Sequence, residues 1–89
     1  MNNLTAFQRD ILYVIVGQGE PHGLAIKSVL EGYYDQEINH GRLYPNLDSL
    51  VDQGLLNKGV KDKRTNEYTL TESGLHKLRA RQDWEQQFL

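Results

Sequence analysis

Strand signals occur once in this sequence, as two neighbouring stretches, and that limits the fold to helices arranged around a single hairpin. Residues 56–61 and 67–70 flank Asp62-Lys63-Arg64-Thr65-Asn66, a turn whose length and composition suit a hairpin. The segments before and after carry helical spacing. With 89 residues the chain holds one domain. A domain of this size buries only ~60–65% of its unfolded surface, so dimerisation is an expected source of further stability.

The first helix begins at Thr5, where Thr5 and Gln8 fit a capping box. Phe7, Ile11, Leu12 and Ile15 recur on one helical face, while Tyr13 and Val14 widen that face. Such a helix is expected to be covered on two sides, by its own core and by a partner. Gly17, Gly19 and Pro21 close it. A second, shorter helix opens at His22-Gly23, buries Leu24, Ile26 (or Ala25), Val29 and Leu30, and ends near Gly32. Ile38 is expected to insert into the core from the linking segment. Asn39 caps a third helix with Leu43, Leu47, Leu50 and Val51 on one face, and Gly54 stands where a left-handed residue is wanted. Pro45 lies inside this helix; its ring crowds the Gly41 carbonyl and requires a bent or loosely wound first turn. Thr71 caps a last helix with Glu72 in its first turn and Leu75, Leu78, Trp84, Phe88 and Leu89 as its large apolar residues.

Three helices, a hairpin and a helix give a mainly α fold with a small β-hairpin: a winged helix-turn-helix with a C-terminal dimerisation helix. The second and third helices form the helix-turn-helix and the hairpin is the wing. Residues 1–70 are expected to be the winged unit and 71–89 the dimerisation helix, within one structural unit.

The net charge of −2 argues against a non-specific nucleic-acid coat, but its distribution is uneven. Residues 57–64 carry four basic side chains (Lys58, Lys61, Lys63, Arg64) and one acid, a net +3 against −5 for the remainder. A basic patch on an acidic body suits an orientated contact with a polyanion, although a solvated turn also favours lysine. The absence of cysteine removes disulfides, thiolate catalysis and cysteine-ligated zinc. No apolar run approaches the ~20 residues needed to span a bilayer, and Met1-Asn2-Asn3 carries no basic leader, so no membrane partner and a cytoplasmic location are expected. His22, His40 and His76 are too scattered for a metal site. There is no phosphate-cradling glycine loop, nucleophile elbow or convergent acid, base and nucleophile, so neither an enzyme nor a cofactor is expected.

Three stretches carry a family resemblance. Gly19-Glu20-Pro21-His22-Gly23-Leu24-Ala25-Ile26 resembles the His-Gly opening of the second helix in the PadR family of transcriptional regulators. Tyr44-Pro45-Asn46-Leu47-Asp48-Ser49-Leu50-Val51-Asp52-Gln53-Gly54-Leu55 matches that family's Tyr-Pro-x-Leu-x-x-Leu-x-x-x-Gly-Leu on the recognition helix. Tyr68-Thr69-Leu70-Thr71-Glu72-Ser73-Gly74 is similar to its Tyr-x-Leu-Thr-x-x-Gly leading out of the wing. The second motif is the most specific, since Tyr-Pro within a helix is rare. Leu24 departs from the family's usual aromatic, and Thr65-Asn66-Glu67 is less basic than the usual wing exit. The short last helix resembles the small PadR branch. The resemblance implies a repressor and a dimer built by the last helix against the partner's first helix.

The exposed side of the third helix carries Asn39, His40, Arg42, Tyr44, Asn46 and Ser49, side chains of the kind that read base edges or grip phosphates. Arg42 suits guanine or a phosphate, Asn46 suits adenine, and Asn39 serves equally as a plain cap. Tyr44 is expected to pack its ring under the hairpin or the second helix and present its hydroxyl to a phosphate, with packing the larger part; the alternative is plain core. Asp48 and Asp52 are expected to face away from phosphate. Lys61, Lys63 and Arg64 read as phosphate or minor-groove contacts. The plainer reading of all these residues is a solvated surface. Phe7, Tyr13, Leu78, Trp84, Phe88 and Leu89 are the expected dimer contacts. Tyr13, Tyr33, Tyr34 and Trp84 suit an aromatic pocket at the dimer interface for a small aromatic effector, though packing explains them equally well.

The function expected is therefore sequence-specific binding of double-stranded DNA by a homodimer at a pseudo-palindromic operator. The alternative is a winged-helix protein-interaction module that binds no DNA.

Overall fold

The computed structural model describes residues 3–19, 21–60, 62 and 65–89. Helices α1 (Ala6–Gln18), α2 (Gly23–Tyr34) and α3 (His40–Asp52) precede strands β1 (Leu56–Val60) and β2 (Asn66–Leu70), and α4 (Glu72–Gln86) follows.

Every helix opens on a side-chain cap that satisfies a free backbone donor. Thr5 and Gln8 form the full capping box on α1, each side chain accepting from the other's backbone N–H at 3.1 Å. His22 Nδ1 accepts from the Ala25 N–H at 3.1 Å, so this histidine orders the start of α2. Asn39 Oδ1 accepts from the Arg42 N–H at 2.8 Å. Thr71 Oγ1 accepts from the Gly74 N–H at 3.0 Å and donates to the Gly54 carbonyl at 2.7 Å, linking the start of α4 to the end of α3. Gly54 has φ 75°, the left-handed conformation that glycine adopts without a Cβ clash.

The expected end of α2 was one half-turn early. The helix continues past Gly32 to Tyr34 and stops at Asp35, which takes the left-handed conformation (φ 56°) with its N–H donating to the Glu31 carbonyl. Two contacts account for the extra residues: Tyr34 stacks on Phe7 of α1 at 6.2 Å between ring centroids, and its hydroxyl donates to Asp10. Glu31 then fixes the connection to α3. Its Oε2 accepts from the Ile38 backbone N–H at 2.8 Å and pairs with Lys27 at 2.9 Å. These bonds, the Ile38 N–H above all, hold the Glu31 carboxyl below its ordinary pKa.

The two strands pair antiparallel, Leu56 with Leu70 through Val60 with Asn66, so β2 starts one residue before the expected stretch, while Lys61 at the expected end of β1 lies outside the described residues. The core gathers Ile11, Leu12 and Ile15 from α1, Ile26 and Leu30 from α2, and Leu43, Leu47 and Leu50 from α3. Ile38, Leu55, Leu56, Tyr68 and Leu78 complete it, with Ile38 inserted from the α2–α3 connection as its apolar side chain requires. Leu24 and Val29, expected inside, are exposed. Only the side of α2 bearing Gly23, Ile26 and Leu30 meets the body, and these two residues lie on other sides of the helix.

Gly74 is a close-approach position. A Cβ there would fall on the Leu55 carbonyl oxygen, so only glycine lets α4 pass the α3–β1 corner. Beyond Leu78 the helix buries none of its described residues.

Candidate nucleic-acid interface

Leu43, Leu47 and Leu50 are fully buried and anchor α3 along one side, which determines which of its polar residues face outward. Asn39, His40, Arg42, Pro45 and Asp48 are exposed, while Tyr44, Asn46 and Ser49 are half-buried at the margins. The expected reading face therefore divides into three sets with different surroundings.

Arg42 is exposed and leads the outward set. Its guanidinium carbon lies 4.0 Å from the centroid of the Phe7 ring, a cation–π contact that orientates the side chain without consuming its donors. His40 is also exposed, with its ring 5.3 Å from that of Tyr44. Ser49 accepts from Gln53 Nε2 at 3.1 Å.

The second set is structural. Asn39 is the α3 cap, as one of its two expected roles required. Asn46 accepts from Gln8 Nε2 at 3.1 Å through Oδ1 and donates from Nδ2 to the Arg42 carbonyl at 2.7 Å. Its amide therefore ties α3 to α1. Gln8 carries no marker in the sequence beyond its place in a capping box, so spacing alone could not place it beside α3.

The third set faces the wing. Tyr44 packs against Gly23, where a Cβ would meet the tyrosine hydroxyl, and so it lies under α2 as expected. With His22, Leu24, Thr65, Asn66 and Tyr68 it lines an open cavity of about 430 Å³ between α2, α3 and β2. Burial above all, then the charge of Asp48, raises the pKa of the Tyr68 phenol. Asp48 itself is drawn toward β1, 3.8 Å from Lys58. The wing residues Lys61, Lys63 and Arg64 lie outside the described residues.

The expected dimer contacts also divide. Phe7 and Leu78 are 6% and 3% exposed and belong to the chain's own core, because each side chain is enclosed by neighbouring helices of the same fold. Tyr13 is half-buried, and its hydroxyl donates to Glu85 Oε1 on α4 at 3.5 Å. Burial first, then Glu85, raises its pKa. Trp84 and Phe88 are 49% and 69% exposed with ring centroids 5.0 Å apart, and Leu89 is fully exposed. The four tyrosine and tryptophan residues expected around one pocket do not share one in the single chain. Tyr13 and Tyr33 line a groove of about 280 Å³ with Asp10, Val14, Val29 and Leu30, whereas Tyr34 lies on Phe7 and Trp84 pairs with Phe88. Among the described residues there is no group of metal-ligating side chains, and no helix is long and apolar enough to cross a membrane.

Known structures share this arrangement. RosR of H. salinarum, grown from NaBr, is 54% identical, with a TM-score of 0.89 over 93% of this chain and 74% of that chain. A RosR complex designated RosR-SG is 52% identical, with a TM-score of 0.93 over 98% of this chain and 77% of that one. A winged-helix DNA-binding protein from STIV is 26% identical (TM-score 0.77, covering 91% and 88% of the respective chains). An E. coli MarR mutant complexed with operator DNA is also 26% identical (TM-score 0.75, covering 89% and 54%). No curated protein matches the chain in sequence. The winged-helix fold is thus shared with transcriptional regulators and with a DNA-binding protein. The sequence profile of the transcriptional regulator PadR-like family matches residues 11–80. The chain belongs to that family, as a winged-helix transcriptional regulator.

Proposed function

We propose that the chain binds duplex DNA as a homodimer and represses transcription from a pseudo-palindromic operator. The observation that carries this reading is the exposed Arg42, held over the Phe7 ring on a helix whose opposite side is locked into the core. A helix so anchored presents a fixed polar face to the major groove, and an arginine with free donors suits the O6 and N7 acceptors of guanine. The MarR relative complexed with operator DNA and the STIV DNA-binding protein support the same use of the fold. Lys61, Lys63 and Arg64 supply phosphate contacts from the wing, each removal lowering the salt slope of binding by about 1. Tyr13, Trp84, Phe88 and Leu89 supply the contact between protomers. Two-fold symmetry then sets the recognition helices about one DNA turn, ~34 Å, apart.

The test is selection from a random DNA library, repeated with Arg42→Ala. A two-fold symmetric site enriched by the wild type and lost by the variant is the expected result. A stable dimer that enriches no sequence at moderate salt assigns the chain to protein interaction instead. Reporter expression from the selected site separates repression from activation.

A further inference from the structure

We propose that Gln8, outside the recognition helix, is a positioning residue for base reading: it holds α3, through Asn46, at the orientation from which Arg42 reads DNA. This rests on the DNA-reading function proposed above.

The residues form a directional relay. The Thr5 backbone N–H donates to Gln8 Oε1 at 3.1 Å, Gln8 Nε2 donates to Asn46 Oδ1 at 3.1 Å, and Asn46 Nδ2 donates to the Arg42 carbonyl at 2.7 Å. A backbone N–H at one end can only donate, and a backbone carbonyl at the other can only accept. The direction of every bond is fixed by those ends, and both intervening residues are amides, side chains that donate from one atom and accept at another. The relay terminates on Arg42, the residue whose guanidinium lies on Phe7, the neighbour of Gln8. The first turn of α1 therefore grips Arg42 twice, at its carbonyl and at its side chain. Productive polar contacts require placement to within about half an ångström, so a small rotation of α3 costs specificity more than it costs folding.

The simpler role for Gln8 is the capping box alone, and Gln8→Glu separates the two. Glutamate serves a capping box as well as glutamine does. Its carboxylate still accepts from Thr5 but has no proton for Asn46 Oδ1. The measured quantity is the ratio of affinities for the selected operator and for a scrambled duplex at one salt concentration. Added negative charge weakens both and cancels in the ratio. Gln8→Glu is expected to shift the unfolding midpoint little, since a carboxylate in the first turn of α1 offsets the lost bond, and to lower the ratio roughly three- to tenfold, the equivalent of one lost hydrogen bond. In an Asn46→Ala background the same change is expected to lower the ratio no further. An unchanged ratio, or an equal fall in that background, leaves Gln8 as a cap only and overturns the proposal. A wild-type chain that selects no sequence overturns it together with the reading on which it rests.

Discussion

Tyr34 joins three helices through one side chain. Its ring lies on Phe7 of α1, its hydroxyl donates to Asp10, and Arg42 of α3 is near enough to oppose the rise in its pKa. Burial first, then the hydrogen bond to Asp10, pushes that pKa up to about 12 from the ordinary 10.0. The sign of the consequence follows from which state holds the proton. The folded chain retains it longer, so this contribution to stability is complete below pH 10 and is lost as pH rises toward 12. Tyr34→Phe is expected to lower stability at neutral pH by about 0.5–1.5 kcal/mol and to make the alkaline fall shallower. It does not abolish the fall, because Tyr13 and Tyr68 are shifted in the same direction. Urea unfolding at a series of pH values from neutral to 12 measures this, and an alkaline fall as steep in the variant as in the wild type would exclude the Tyr34–Asp10 coupling.

The helices were legible in the sequence to the extent that their punctuation is chemical. Thr5, Asn39 and Thr71 cap as their side chains demand, and Gly54 takes the positive φ for which glycine is suited. The end of α2 was not legible, because glycine inside a helix costs little when nothing else contradicts the helix. Tertiary contacts of Tyr34, invisible in local spacing, carry α2 past Gly32. Leu24 and Val29 were misplaced for a related reason: periodicity marks an apolar arc but does not say how much of it a small body covers. In the candidate site, Arg42 and His40 could be read from helical phase, whereas the engagement of Asn46 by Gln8 pairs residues 38 positions apart. Two of the helical glycines, Gly32 and Gly74, have opposite expected behaviour. Nothing lies within 4 Å of a Cβ built on Gly32, so Gly32→Ala is expected to stabilise the fold by about 0.5–1 kcal/mol. At Gly74 the same substitution meets the Leu55 carbonyl and is expected to destabilise the fold by about 3 kcal/mol. Thermal unfolding of the pair checks both; equal midpoints would mean that α4 can shift away from the α3–β1 corner without loss.

The whole molecule measures 44 × 30 × 21 Å, and α4 has little of its own fold to pack on in its second half. From Gly74 to Leu78 it is held by the core, and beyond that point Trp84 and Phe88 present their rings largely to solvent. A free helical end of this kind is marginal in water, since short helices derive most of their stability from packing an apolar face. In the proposed dimer that packing is supplied by a second copy, and the same contact sets the separation of the two recognition helices. Disrupting it should therefore weaken the proposed DNA binding without touching the residues proposed to face DNA. The combined Trp84→Ala and Phe88→Ala substitutions are expected to weaken dimerisation at least ~30-fold, since buried aromatic anchors each contribute about 2 kcal/mol or more. Sedimentation equilibrium measures that loss. Affinity for the full two-fold operator should fall in parallel, because the second half-site contact is no longer intramolecular, while affinity for a single half-site should hold. A variant that remains dimeric places the interface elsewhere on the molecule. One that becomes monomeric yet binds the full operator at wild-type strength dissociates DNA reading from two-fold pairing and removes the basis for a palindromic site.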